Sequence, residues 1–422
     1  MRFGEEFLTH RRRGTQGFRT TAAPSATYDH IVSTTGNDIA GTGTVLNPWR
    51  TWAKARSVAV AGQTVGYRGG TYAETLEWFG GNSGTSYANG ITFKAYEGEP
   101  VTVQPSAADF ALVMRGTAAG ANNGPQYLIF DGVTFDGRNC AHDVIKVTAW
   151  DPTTSSSSFP NADSPASFIR FIRCRSTSQR GLGHTQQGFM ITFGSTVEII
   201  DSEVDNVGDN AASPNSQGVY GAASDLLLDN VYFHDIDGYG YSGGSSYVGQ
   251  VANNQTIRDC TAYLCGKSSS ALGGFNMGQG TGHVFSNCIA WDCLGRGFAA
   301  AFFDGSGIKF YHCTAVGSAS DGFHADGSQI NAEFINCIAY NNGTNYADSG
   351  SGTVQTNNWN FGGTNTNPNF VGPITGTAAN FRLTGSSSAT LRSGGLLLAA
   401  VPQDKDGVDY LNPPSLGTYQ YS

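Results

Sequence analysis

Residues 321–328 read DGFHADGS, and FFDGSG stands shortly before them at 302–307. With Phe323 pointing inward on a strand, His324 and Asp326 share the outward face, because strand side chains alternate. Aligning the two Asp-Gly-Ser triplets stacks Asp304 on Asp326 in adjacent layers, about 5 Å apart. Two carboxylates at that spacing suit a retaining glycosidase, one protonated in its neighbour's field and one ionised. They suit a cation such as Ca2+ equally, bound through oxygen. No other cofactor is implied. His324 beside them would shuttle a proton. The plain alternative is that Asp-Gly marks a turn and two layers share a corner.

Two further constellations stand out. FHDIDGYGY at 233–241 gathers His234, Asp235 and Asp237 at one corner, where water can satisfy them. The other is a ladder three places after a recurring slot: Phe135, Thr177, Asp205, Phe233, Tyr263, Trp291, Val316 and Tyr340. Alternation turns this ladder outward, so Phe233, Tyr263, Trp291 and Tyr340 would pack on the apolar faces of sugar rings. The alternative is that the N-terminal arm or the C-terminal region covers the ladder; on either reading it is not bare. Corner residues His142, Asp143, His184 and Arg296 say little singly.

The slot belongs to a repeated phrase. TIRDCTAYLC, VFSNCIAWDC, KFYHCTAVGS and EFINCIAYNN place Cys260, Cys288, Cys313 and Cys337 at steps of 28, 25 and 24 residues. Earlier copies put Gly132, Cys174, Ser202 and Asn230 in the slot. Three places before it stand Ile129, Phe171, Ile199, Leu227, Ile257, Phe285, Phe310 and Phe334, all apolar, with polar neighbours alternating. That is a strand with one buried face. Just before the slot the alternation slips by one, which predicts a bend between two short strands. A further strand follows in each unit (QGFMI, QGVYG, GGFNM, RGFAA, DGFHA). Coils of about 25 residues with three strands and glycine corners make a parallel β-helix, with the slot residues in one interior column. Four regions follow: an arm (1–28), a leading and capping region (29–125), regular coils (126–345) and a C-terminal capping region (346–422). WRTWAKARSVA at 49–59 predicts a short helix over the first coil.

Net charge is −9 and only six lysines are present, so no basic stripe for nucleic acid runs through the coils. HRRRG at 10–14 reads as a solvated arm. Five of the eight cysteines fill slots as small hydrophobes, and Cys265 with Cys293 is the best candidate for a bridge. No run is long and apolar enough for a membrane span. Residues 1–25 lack the apolar segment of a secretory signal, as expected of a mature chain or of one that does not leave the cell by the general secretory route.

The segments YDHIVSTTGNDIAGTGTVLNPWRTWAKA (28–55) and AGQTVGYRGGTYAETL (61–76), with the coil phrase x-N-C-x-A, resemble right-handed parallel β-helix proteins of the pectin-lyase-like group, including the family-nine pectate lyases. The resemblance implies an all-β, right-handed solenoid. That group also includes hydrolases, epimerases and phage tailspikes, and a fold does not fix a function. Family-nine lyases use a lysine base beside a calcium site built from aspartates. The coil lysines here are Lys146, Lys267 and Lys309, and no coil loop carries a dense aspartate cluster. The expected functions are a virion-associated spike or adhesin that binds a surface polysaccharide, with or without cleaving it, a secreted lyase or hydrolase, or a structural protein of a larger assembly. The expected location is a virion or the extracellular space. The expected partners are a polysaccharide, copies of the same chain (as in a trimer) and virion proteins reached through the arm.

Overall fold

The structure is a computed structural model that describes residues 27–117, 123–149, 165–179, 185–208, 216–244, 252–267, 272–301, 304–372 and 378–421. Nearly all of the arm lies outside these residues. The chain winds as a parallel β-helix whose coils contribute three files of short strands. Around Cys288, for example, Val284–Ser286 lies in the second file and Ile289–Trp291 in the third, and the chain then enters the first file at Arg296–Ala300. Each strand pairs in parallel with its counterpart one coil on, from His30–Val32 beside Thr64–Tyr67 to Glu333–Ile335 beside Val354–Thr356. First and second files merge in the long strand Phe189–Ile200, while among the described residues the third forms a separate ten-stranded sheet.

Two backbone columns turn this sequence into coils. The residue between second and third files has positive φ in coil after coil: Gly132 (74°), Arg173 (51°), Asp201 (49°), Asn230 (53°), Asp259 (56°), Asn287 (52°), His312 (53°) and Asn336 (59°). Glycine, asparagine and aspartate tolerate that left-handed conformation best, and it is why the alternation slips there. The second column, Gly188, Gly218, Gly240, Gly274, Gly297 and Gly322, stands at the start of the first file. A β-carbon on Gly297 would lie 2.6 Å from the carbonyl oxygen of Gly322, so only glycine lets successive coils approach.

The cysteine column is interior: Cys260, Cys288, Cys313 and Cys337 are fully buried, and register stacks them. Two coils differ from the sequence alignment by one residue. Val133 and Val231 occupy the slot, and Gly132 and Asn230 are the left-handed residues before it. The apolar column therefore takes Phe130 and Leu228 rather than Ile129 and Leu227. All eight cysteines are free thiols, so Cys265 and Cys293 stack without a bridge. Beside them run ring stacks such as Phe285–Phe310–Phe334, with centroids 4.8 and 5.0 Å apart. Each such ring removed from water contributes roughly 1.5–3 kcal/mol.

The expected helix forms over Trp52–Val58, where the Thr51 hydroxyl accepts from Lys54 N, and it stacks Trp52 on Tyr67 at 3.6 Å. The C-terminal region runs back along the third file, held by the left-handed column. Asn287 Nδ2 donates to Gln403 O (2.8 Å), and Asn336 both donates to Leu396 O (2.8 Å) and accepts from Leu396 N (2.9 Å).

Candidate functional site

The outward face of the first file carries a compact set of titratable groups. Phe323 and Ala325 are buried, so His324 and Asp326 face out, as alternation requires. Strand register sets Arg296 beside Asp321. His324 Nδ1 is 2.9 Å from Asp321 Oδ2, and Arg296 Nε is 3.5 Å from the same oxygen. A carboxylate only accepts, so Nδ1 carries the proton and Nε2 is left as the acceptor. Burial lowers the pKa of His324, and the Arg296 charge adds to this against the opposing pull of Asp321. The imidazole is therefore held neutral beside a guanidinium. Tyr239 packs its hydroxyl against Arg296.

The same face continues toward the N-terminus. The His324 column runs back through Ala299, Asn276, Ser242, Tyr220 and Met190 to Lys146. Lys146 Nζ lies 3.8 Å from Asp143 Oδ2 and 5.3 Å from the Phe110 ring centre, and burial lowers its pKa. Arg296, Asp321 and Tyr239 were not picked from sequence as a set. The signal was present, because each immediately precedes a glycine of the column that starts the first file.

The expected carboxylate pair does not form. Register places Ala300 beside Ala325, and hence Ala301 beside Asp326, three residues short of Asp304. The shared Asp-Gly-Ser spelling misled because the two coils turn their corners at different points: Ser306 pairs with Ile330, not with Ser328. Asp304 is exposed. Asp326 Oδ1 accepts from Ser328 N (3.0 Å) and Ser328 Oγ (2.5 Å), as an aspartate in a turn does. The two therefore make neither a stacked glycosidase pair nor a two-carboxylate cradle for Ca2+.

The ring ladder is also redrawn. Phe233 and Phe135 point inward and are fully buried, because the one-residue shift puts His234 and Asp136 in the outward register. Phe233 is thus closed to any sugar. Tyr263, Trp291 and Tyr340 do face outward in one column. Tyr263 stacks on Trp291 at 4.6 Å, but Phe381 and Tyr419 of the C-terminal region cover Trp291, which is 3% exposed.

At the corner around His234, Glu203, Asp205 and His234 come together. The Arg175 guanidinium already supplies the cation there, 2.7 Å from both Asp205 oxygens and 3.5 Å from Glu203. Lys267 Nζ sits 2.6 Å from Asp235. Ca2+ prefers six to eight oxygens and no imidazole, so this set fits an ion-pair network better than a calcium site.

Residues 30–299 match the family model described as the Pel9A-like, right-handed β-helix region. Among solved structures, pectate lyase Pel9A superposes with a TM-score of 0.66 at 16% identity, over 94% of this chain and 97% of that one. The complex of XylC with xylose superposes at 0.54 and 10% identity, over 92% and 98%. At these identities the likeness shows the fold alone. No curated protein matches.

Proposed function

Because the chain belongs to the Pel9A-like right-handed β-helix family, we propose that it binds a polysaccharide along the outward face of the first strand file and cleaves it there by β-elimination. The observation that carries this reading is the Arg296–Asp321–His324 set, a neutral imidazole fixed in one tautomer beside a cation. In a uronate polymer, His324 Nε2 would take the proton α to the carboxyl group. The freed electron pair forms the new C=C bond and breaks the bond to the glycosidic oxygen, which takes a proton from water, and the His324 imidazolium returns its proton to the hydroxide so formed. Arg296 would offset the charge gathering on the carboxylate. That the solved neighbours include a pectate lyase and a xylose complex supports a carbohydrate as ligand. On this reading the protein works where polysaccharide is met, outside a cell or on a virion.

Lys146 is the second candidate base. Burial lowers its pKa on the same face, six strands away, about 29 Å at the usual strand spacing. The deciding experiment incubates the protein with acidic and neutral polysaccharides and follows unsaturated-product absorbance together with reducing ends. His324→Gln should lower the rate by about 10²–10⁴ and leave the fold intact. Activity should require the neutral imidazole, so its acid limb should fall below the ordinary histidine pKa of 6.5. Full activity in His324→Gln with loss in Lys146→Gln would move the base to Lys146. Reducing ends without unsaturated product would mean hydrolysis, and neither signal would leave a binding protein.

A further inference from the structure

The corner between first and second files has its own left-handed column. It runs Tyr127 (φ 54°), Phe168 (57°), Thr196 (55°), Asp225 (57°), Asn254 (55°), Gly282 (76°), Gly307 (64°), Asn331 (54°) and Gly352 (69°). Register stacks neighbouring members one coil apart. Glycine, asparagine and aspartate suit this conformation, whereas a bulky ring there is a strained outlier. Two coils nevertheless carry rings, and neither ring enters the core. Tyr127 and Phe168 are half-buried and stack on each other, with centroids 4.6 Å apart and planes 7° apart.

Tyr87 stands edge-on to both, at 5.7 and 6.4 Å, and forms a wall. Its ring is held by Arg170 at 3.9 Å, which pairs with Glu198 at 2.6 Å. Its hydroxyl reaches Thr196 O at 3.5 Å. The ring stack ends at Phe168, and the next positions of the column are a hydroxyl (Thr196), an exposed carboxylate (Asp225) and an amide (Asn254). An apolar plate followed at coil spacing by hydrogen-bonding groups matches a pyranose, which has one apolar face and a rim of hydroxyls.

We propose that one pyranosyl unit of a polysaccharide binds as the next layer of this stack, on the Phe168 face turned toward Thr196. Tyr87 walls one side, and Thr196 and Asp225 engage the sugar hydroxyls. This is a holding site apart from the His324 face, and it rests on the reading of the protein as a polysaccharide binder.

The test is electrophoretic retardation of the full chain in gels cast with polygalacturonate or xylan. His324→Gln serves as the parent so that the matrix is not consumed. Adding Phe168→Asn, the residue type used at this corner in other coils, should weaken retardation about five- to tenfold, with a Tm equal to or above that of the parent. Equal retardation would overturn the site and leave the proposed function standing. A lower Tm in Phe168→Asn would show that the ring serves packing, and would also overturn it. A changed sedimentation coefficient with unchanged retardation would assign the rings to a second copy of the chain instead. If neither matrix slows the parent, both this site and the polysaccharide reading fail.

Discussion

His312 and His234 are both largely buried, and the protein treats them in opposite ways. His312 Nδ1 donates to Gly417 O (3.3 Å), and its Nε2 accepts from Asn336 Nδ2 (2.8 Å). Both nitrogens are committed to the neutral ring, and burial pushes the pKa down to about 4. His283 is lowered to about 4 for the same reason. For His234, burial also opposes the charge, but the hydrogen bonds to Asp235 and Glu203 prevail and raise it to about 9. The signs follow from linkage. The first two favour the fold above pH 6.5 and lose that advantage as pH falls from 6.5 toward 4, by roughly 3 kcal/mol for a full 2.5-unit difference. His234 contributes below 6.5 and loses its contribution as pH rises through 9. Unfolding free energy from denaturant titrations should therefore peak near pH 6.5–7. His312→Asn should flatten the acid limb, and His234→Asn the alkaline one. A curve still rising at pH 9 would refute the assignment of His234.

At the scale of the strand, the glycine column is the firmest constraint. Gly297→Ala places a methyl group 2.6 Å from the Gly322 carbonyl oxygen, between coils that have no room to part. It should lower the unfolding free energy by about 1–3 kcal/mol, read as a shifted denaturant midpoint. Gly307→Ala, with nothing within 4 Å but φ at 64°, should cost only the backbone strain, about 1 kcal/mol. The strands themselves were legible because ring and cysteine columns repeat where the chain cannot vary. Register was lost at Gly132 and Asn230 because a small or polar residue suits both the interior slot and the left-handed position before it. The following valines, Val133 and Val231, carried the information that separates the two. The Asp304–Asp326 pairing failed for a related reason: a shared turn spelling fixes local hydrogen bonds but not where a corner begins. Arg296, Asp321 and His324 become a site only once Phe298 is known to lie against Phe323.

For the molecule as a whole, the C-terminal region is what the repeat could not foretell, since it has no period of its own. Its Phe381 and Tyr419 close over Trp291, Ile289 and Val316, and its Leu391 and Leu416 over Ile338. Ending the chain at residue 345 should uncover this apolar strip. The shortened protein should associate or bind a hydrophobic dye, with the strand signal in circular dichroism largely kept, because each coil leans mainly on its neighbours. A shortened protein that stays monomeric and dye-silent would mean that the strip is not held by the region that covers it. The eight interior sulfhydryls, finally, turn the solenoid into its own recorder of opening. All eight are buried, and burial raises the Cys140, Cys174 and Cys293 thiols to about 12 and those of Cys260, Cys265, Cys288 and Cys313 well above the ordinary thiol range, so an alkylating reagent touches a coil only while that coil is parted from its neighbours. Pulse alkylation followed by peptide mass mapping would then date, rung by rung from Cys140 to Cys337, the end from which the spiral unzips.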